Sequence, residues 1–434
     1  QDIHKRTEAN LEDATWLVSG YGKLNFQLGN TTGDFHISYD AKKKWGRTQL
    51  SPSQQDSGSL WDQDGPGYLV YGGLSRVFGE LMLNLKAVYT DGGFQLDPRG
   101  SNQNPANGHE EGNDWLIVDA GSRYEGSTVN YITNRNSIDI SMDDNYFLEG
   151  ALGGDHEIRF GVDYFTADTT TQSLYPNQRI TYVYRDLEGS PYIGIYPDYI
   201  LDINFKRISA YIQDTVTFGK LTASLGIRYD KEQGGLNEFT QPYVTWYEPG
   251  TAYHGVRMYP NEISALHIAA YTAPASWKLL SPRLSLTYDI TGDGKNVAKL
   301  SVGRYMSQSG NSIAATYIPY RYALADWVDA NGDETPQYNE VGALWYDAAL
   351  YTVDENNRNR VQFDPNYNSP MLDELTLSFE KALSDDLSLS LTGYYKKRSK
   401  LSQDYNSRGE IVNVSKGIMP DGSIETKANR QYRG

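Results

Sequence analysis

The sequence contains no cysteine, which excludes disulfides and thiolate metal sites. It has no run of eighteen or more apolar residues, so no segment reads as a membrane-spanning helix. Histidine is scarce: six copies are scattered as His4, His36, His109, His156, His254 and His267. There is no paired-histidine zinc motif, nucleophile elbow or phosphate-binding glycine loop. Basic residues are outnumbered by acidic ones, 39 to 55, leaving a net charge of −16. That balance argues against nucleic acid as a partner, because phosphate contacts need lysine and arginine. It points instead to acidic loops or an acidic interior, with divalent cations as ligands to consider.

What is present is aromatic and alternating. The 434 residues include 35 Tyr and 8 Trp. A hydrophobic content of 39% and a mean hydropathy of −0.60 are too polar for a helical membrane protein. A membrane β-barrel would still have this composition, because only every second strand residue faces lipid and aromatic girdles mark both interfaces. A tyrosine-rich secreted β-protein that binds glycans has it too.

The strongest alternation lies between Ser281 and Gly310. Leu284, Leu286, Tyr288 and Ile290 alternate with Ser285, Thr287 and Asp289, then a polar turn leads to Ala298, Leu300 and Val302. Period two bounded by Gly and Asp is a hairpin with one apolar face. Five further pairs have the same form. They run from Trp16 to Leu28 and Phe35 to Tyr39, from Tyr68 to Phe78 and Leu81 to Tyr89, and from Ile138 to Leu148 and Ile158 to Tyr164. The others run from Ile208 to Phe218 and Leu221 to Tyr229, and from Leu375 to Phe379 and Leu387 to Tyr395. Asp144 and Asp214 fall in the apolar phase, and a bulge is expected at Asp214. Arg304 and Lys381 do so near strand ends, where long side chains snorkel.

Every second connection is short, and the others are long and polar. Short turns at one end and long loops at the other are the layout of outer-membrane barrels. The expected fold is therefore all-β, an antiparallel up-and-down transmembrane β-barrel, partial, with about twelve strands in six hairpins and long extracellular loops. Residues in phase with Leu286 should face lipid, and Ser285, Thr287, Arg228, Glu380 and Ser390 the lumen.

The string LLSPRLSLTYDITGDGKNVAKLSVGRY resembles the barrel segment of TonB-dependent outer-membrane receptors of the Oar-like class. FDPNYNSPMLDELTLSFEKALSDDLSLSLTGYYKKRSKL is similar to a later hairpin of that family, and YGKLNFQLG, ISYDAKKKWGR and ANRQYRG also fit. Receptors of this class carry a carboxypeptidase-regulatory-like domain, a plug and a barrel of about 22 strands, a size that encloses a plugged lumen. The resemblance implies a receptor that imports a nutrient captured by its extracellular loops, in contact with outer-membrane lipid and powered by the TonB complex through the plug. No TonB box, plug or terminal aromatic strand is recognised, so residues 1–434 are expected to be a partial barrel domain, a fragment with two open edge strands. A surface adhesin or secreted carbohydrate-binding protein is the alternative.

Two sets of loop residues are candidates for binding. Trp246, Tyr247, Trp277, Tyr317, Tyr320, Tyr322, Trp327 and Trp345 lie in aromatic-rich connections, where ring faces beside Asp, Asn and Arg suit sugars, peptides or an aromatic chelate. Asp329, Asn331, Asp333 and Glu340 occupy positions 1, 3, 5 and 12 of a calcium-loop pattern, although Glu334 replaces the usual glycine and Pro336 interrupts the loop. A solvated acidic turn is the alternative to calcium there. An outer-membrane protease would need Asp and His converging at the rim. His36 and Asp40, four residues apart on one face, are too distant along a strand to pair, and no catalytic residues are expected.

Overall fold

The computed structural model describes residues 14–47, 60–98, 116–119, 123–125, 129–175, 180–184, 191–241, short pieces between 244 and 272, and residues 277–308, 322–332, 340–347, 368–401, 413–418 and 424–428. Twelve long strands form the main sheet: β1 (Ala14–Leu28), β2 (Thr31–Arg47), β3 (Trp61–Phe78), β4 (Leu81–Pro98), β5 (Asn130–Ala151), β6 (Gly154–Leu174), β7 (Tyr199–Phe218), β8 (Leu221–Leu236), β9 (Trp277–Asp289), β10 (Asn296–Met306), β11 (Met371–Ser384) and β12 (Leu387–Ser399). Each pairs antiparallel with its sequence neighbour, so spatial order follows chain order from β1 to β12. The short piece Tyr271–Thr272 adds to the outer end of β8. Among the described residues, β1 and β12 are each paired along one edge only. Residues Asn413–Ile418 and Ile424–Ala428 form a separate ladder.

Five of the six hairpin turns contain a residue in left-handed backbone: Gly29, Gly79, Gly153, Gly219 and Gly292. In the β9–β10 turn, Gly292 and Gly294 hold φ of +83° and +73°, which costs a glycine nothing sterically. Asp289 accepts hydrogen bonds from Gly292 N (2.9 Å) and Gly294 N (2.7 Å). Asp293 accepts from Thr291 Oγ1 and Lys295 N. These carboxylates are occupied by the turn itself.

The apolar phase forms continuous rows across the ladders. Leu225 lies opposite Leu284, which lies opposite Val302, which lies opposite Leu375. Leu225 is 65% exposed, so this surface is turned outward rather than into a core. A soluble sheet would bury such a face; a barrel offers it to lipid. Aromatic side chains mark both limits of the band. Phe78, Phe218 and Tyr288 are exposed near the short turns, and Tyr68, Tyr89, Tyr164 and Tyr229 toward the long loops. No helix among the described residues is long and apolar enough to cross a membrane.

Asp214, Asp144 and Arg304, polar residues in the outward phase, have specific partners. The bulge expected at Asp214 is absent: β7 keeps unbroken register with β6 and β8 through that position. The strand stays regular because His156, also in the outward phase, faces the carboxylate at 2.7 Å. Asp144, 1% exposed, accepts a hydrogen bond from Asn84 N at 2.8 Å. Arg304 does not simply snorkel, because it donates to both carboxylate oxygens of Asp373 across the ladder at 2.7 and 3.1 Å.

The opposite face is polar and cross-linked. Arg207 donates to Asp163, Ser209 to Asp230, Arg228 to Asp230, and Tyr211 to Asp143. Lys299 and Glu380 pair at 2.8 Å. His36 faces Asp34 at 2.9 Å and packs against the Tyr71 ring. Such a face is polar and cross-linked, unlike the apolar outward face.

Candidate functional site in the long loops

Three of the long connections are joined into one sheet. Its six strands run in the order Val341–Asp347, Ala323–Trp327, Tyr192–Ile195, Ile180–Tyr184, Leu116–Asp119 and Arg123–Glu125. Ile193 lies opposite Ala325, and Ile117 pairs with Val183 in a parallel ladder. Ile193, Ile195, Ala323 and Ala325 are fully buried. Loops that bury apolar side chains against one another are held as a unit, which lets a binding surface keep its shape.

Tyrosines gather where this sheet meets the barrel wall. Tyr196 and Tyr322 stack with ring centroids 5.0 Å apart and planes 4° from parallel. Tyr175 packs against Tyr196 at 5.6 Å, and its backbone N–H donates to Asp198 at 2.8 Å. Tyr199, above the apolar band, meets the Phe239 ring edge-on. Burial pushes the Tyr199 hydroxyl well above its usual range, with Tyr175 adding to the effect; burial also raises Tyr192. Neutral phenols flanked by Asp198 can stack on a ring and hydrogen-bond its substituents.

The residues singled out from sequence are only partly brought together. Tyr322 is in the stack. Trp327 is buried in the loop sheet, and its Nε1 donates to Glu340 Oε2 at 3.2 Å. Trp277 lies on the inner phase of β9, buried beside Leu279 with Met306 against them. Trp345 is on Val341–Asp347, with its side chain outside the described residues. Trp246, Tyr247, Tyr317 and Tyr320 lie outside them entirely.

Of the acidic set, Asp329 accepts from Gly332 N at 2.8 Å. Glu340, 1% exposed, accepts from Ala330 N at 3.0 Å as well as from Trp327. Asn331 is exposed, and Asp333 lies outside the described residues. Sequence reasoning passed over Tyr175, Tyr192, Tyr196 and Tyr199, which lie at and between the ends of β6 and β7. The density of tyrosine there was the available signal.

Residues 35–433 match the family described as outer membrane beta barrel domain. The chain belongs to that family. Its place is the bacterial outer membrane. No curated protein is matched by the sequence. Among solved structures, the outer membrane transporter YddB from Escherichia coli is similar at a TM-score of 0.53 and 11% identity, over 88% of this chain and 40% of that one. The ferric yersiniabactin uptake receptor FyuA from Yersinia pestis gives 0.47 and 10% over 88% and 45%. The ferric-catecholate import receptor Fiu from K12 E. coli gives 0.47 and 7% over 96% and 54%. The chain thus spans about half, or less, of the length of these structures. The likeness to YddB establishes a shared β-barrel fold.

Proposed function

We propose that the chain forms the wall and capture loops of a TonB-dependent receptor that imports a nutrient across the outer membrane, not an enzyme. The observation that carries this reading is the joining of three long loops into one sheet, with the Tyr196–Tyr322 stack at its base. Below it, the inner wall is lined by ion pairs such as Arg207–Asp163. A ligand held by aromatic faces would have a polar path beneath it. In such a receptor the TonB complex supplies the energy by acting on a plug, and the motif strings favour the Oar-like class. Sugars, peptides and aromatic chelates are the ligand classes that suit stacked phenols beside carboxylates.

The test is growth of the native cell with the gene disrupted, on each ligand class as sole source, then with the intact protein carrying Tyr196→Ala and Tyr322→Ala. Import through this protein predicts loss of growth on one class, and the same loss when the TonB complex is inactivated. Unchanged growth on every class would overturn the reading and leave a surface adhesin.

A further inference from the structure

The outward face carries three exposed lysines, Lys206, Lys231 and Lys278, on the adjacent strands β7, β8 and β9. Lys231 and Lys278 are directly opposed across the β8–β9 ladder. Lys206 is their diagonal neighbour, since Ile208 lies opposite Lys231 and Lys206 lies opposite Gln233. Like charges placed directly opposite each other destabilise a sheet. None of the three makes an ion pair or hydrogen bond with any described residue. Carboxylates are not in short supply, with 55 in the chain. The nearest acid in the outward phase, Asp168, stands opposite Asn204 on the far side of β7 and makes no pair with Lys206. Glu232 and Asp230 belong to the inner phase, where Asp230 already receives Arg228 and Ser209.

Their depth decides what can neutralise them. Immediately below lie exposed Ile208, Tyr229 and Leu280, the upper limit of the apolar band. From Leu221 at the turn to Lys231, the strand climbs about 33 Å at roughly 3.3 Å per residue. After a tilt of about 40° that is close to the ~25 Å height of a barrel's lipid band. The ammonium groups therefore lie at headgroup level, on the side of the long loops.

We propose that Lys206, Lys231 and Lys278 form a binding site for the phosphate group of an anionic lipid in the outer leaflet. Three ammonium groups on neighbouring ladder positions, with no carboxylate paired to them, give a phosphate several charge-assisted donors. The lipid's tails then cover Ile208, Tyr229 and Leu280. The anion removes the like-charge repulsion that the bare ladder carries.

The full chain, purified in a neutral detergent, is titrated with micelles containing phosphatidic acid and, separately, phosphatidylcholine, with bound lipid read by native mass spectrometry. Phosphatidic acid should be retained preferentially. Retention should fall roughly fivefold for each of Lys206→Gln, Lys231→Gln and Lys278→Gln, the ratio corresponding to about 1 kcal/mol per basic residue at an anionic surface. Lys231→Arg should keep it. Lys299→Gln, whose ammonium pairs with Glu380 on the inner face, should not lower it. Equal retention by the lysine variants, or a loss as large from Lys299→Gln, would overturn the site. Full displacement of the lipid by an equal concentration of inorganic phosphate would overturn the lipid as its source.

Discussion

His156 and Asp214 are diagonal neighbours across the β6–β7 ladder, with the imidazole Nδ1 2.7 Å from Asp214 Oδ2. The ring's other nitrogen, Nε2, lies 3.0 Å from the carbonyl of Ala151, so the imidazole bridges the turn and the neighbouring strand. Phe218 meets it edge-on. Both side chains occupy the phase that otherwise faces lipid. A carboxylate there is tolerated because the neighbouring strand supplies a partner, and the backbone needs no bulge to turn it away.

The first prediction follows from that pairing. His156→Leu should lower stability in bilayers by about 1–2 kcal/mol, between the interfacial and midplane costs of a lipid-facing charge. Adding Asp214→Leu should recover most of the loss. Denaturant titration in lipid vesicles reads both. If the single variant is as stable as the original, the pair does not hold this part of the wall.

The second prediction concerns phase. Leu284 lies in the outward row between Leu225 and Val302, while Ser285 faces inward between Ser224 and Ser301. Leu284→Arg should impair assembly by roughly 2–4 kcal/mol, and Ser285→Arg should be accommodated at the polar wall. Equal yields of heat-resistant, membrane-inserted protein for the two variants would contradict the assigned faces.

The twelve strands were legible because period two persists wherever one face meets lipid, as from Leu284 to Tyr288. Strand ends were not. The alternation in β4 fades after Tyr89, yet the strand continues to Pro98, because above the membrane both faces can be polar and the pattern disappears. Asp214 misled for a related reason: its partner His156 is distant in sequence, and a lone carboxylate in an apolar phase looks like a fault in register. The loop sheet was hidden more completely. Its strands, such as Tyr192–Ile195, are too short for a periodic signal, and they pair between different loops. Tyr322 was named as a candidate, but its stacking partner Tyr196 was missed, because stacking is set by loop packing and not by spacing.

The third prediction concerns acid. Asp293 has its carboxyl held below the ordinary value of 3.8 by the hydrogen bond from Thr291, then by the Lys295 backbone N–H and charge. A depressed carboxylate stabilises the fold above its unfolded value, and that contribution is lost as pH falls through the lower, folded value. The β9–β10 turn should therefore hold at neutral pH and down to about pH 4, weakening only below that. Asp293→Asn should remove this part of the acid dependence. Amide exchange at Lys295, followed from neutral to acidic pH in both proteins, measures it.

The last prediction separates two roles for Glu340. Its buried carboxylate receives Trp327 Nε1 and Ala330 N, and it was also read as the twelfth-position ligand of a calcium loop. As a cap, Glu340→Gln should weaken both hydrogen bonds, since those made to a charged acceptor are worth about 1.5–3 kcal/mol and neutral ones about half that. Trp327 emission should shift and protease should cut faster near Ala330, whether or not calcium is present. As a calcium ligand, the carboxylate must release at least one donor to reach the ion at about 2.3–2.6 Å. Adding calcium to the original chain would then evolve heat, move Trp327 emission and slow proteolysis, and Asp329→Asn would abolish all three. We expect the cap's signature for Glu340→Gln in calcium-free buffer. A variant indistinguishable from the original there, and altered only with calcium, would show that the carboxylate serves the ion rather than the turn.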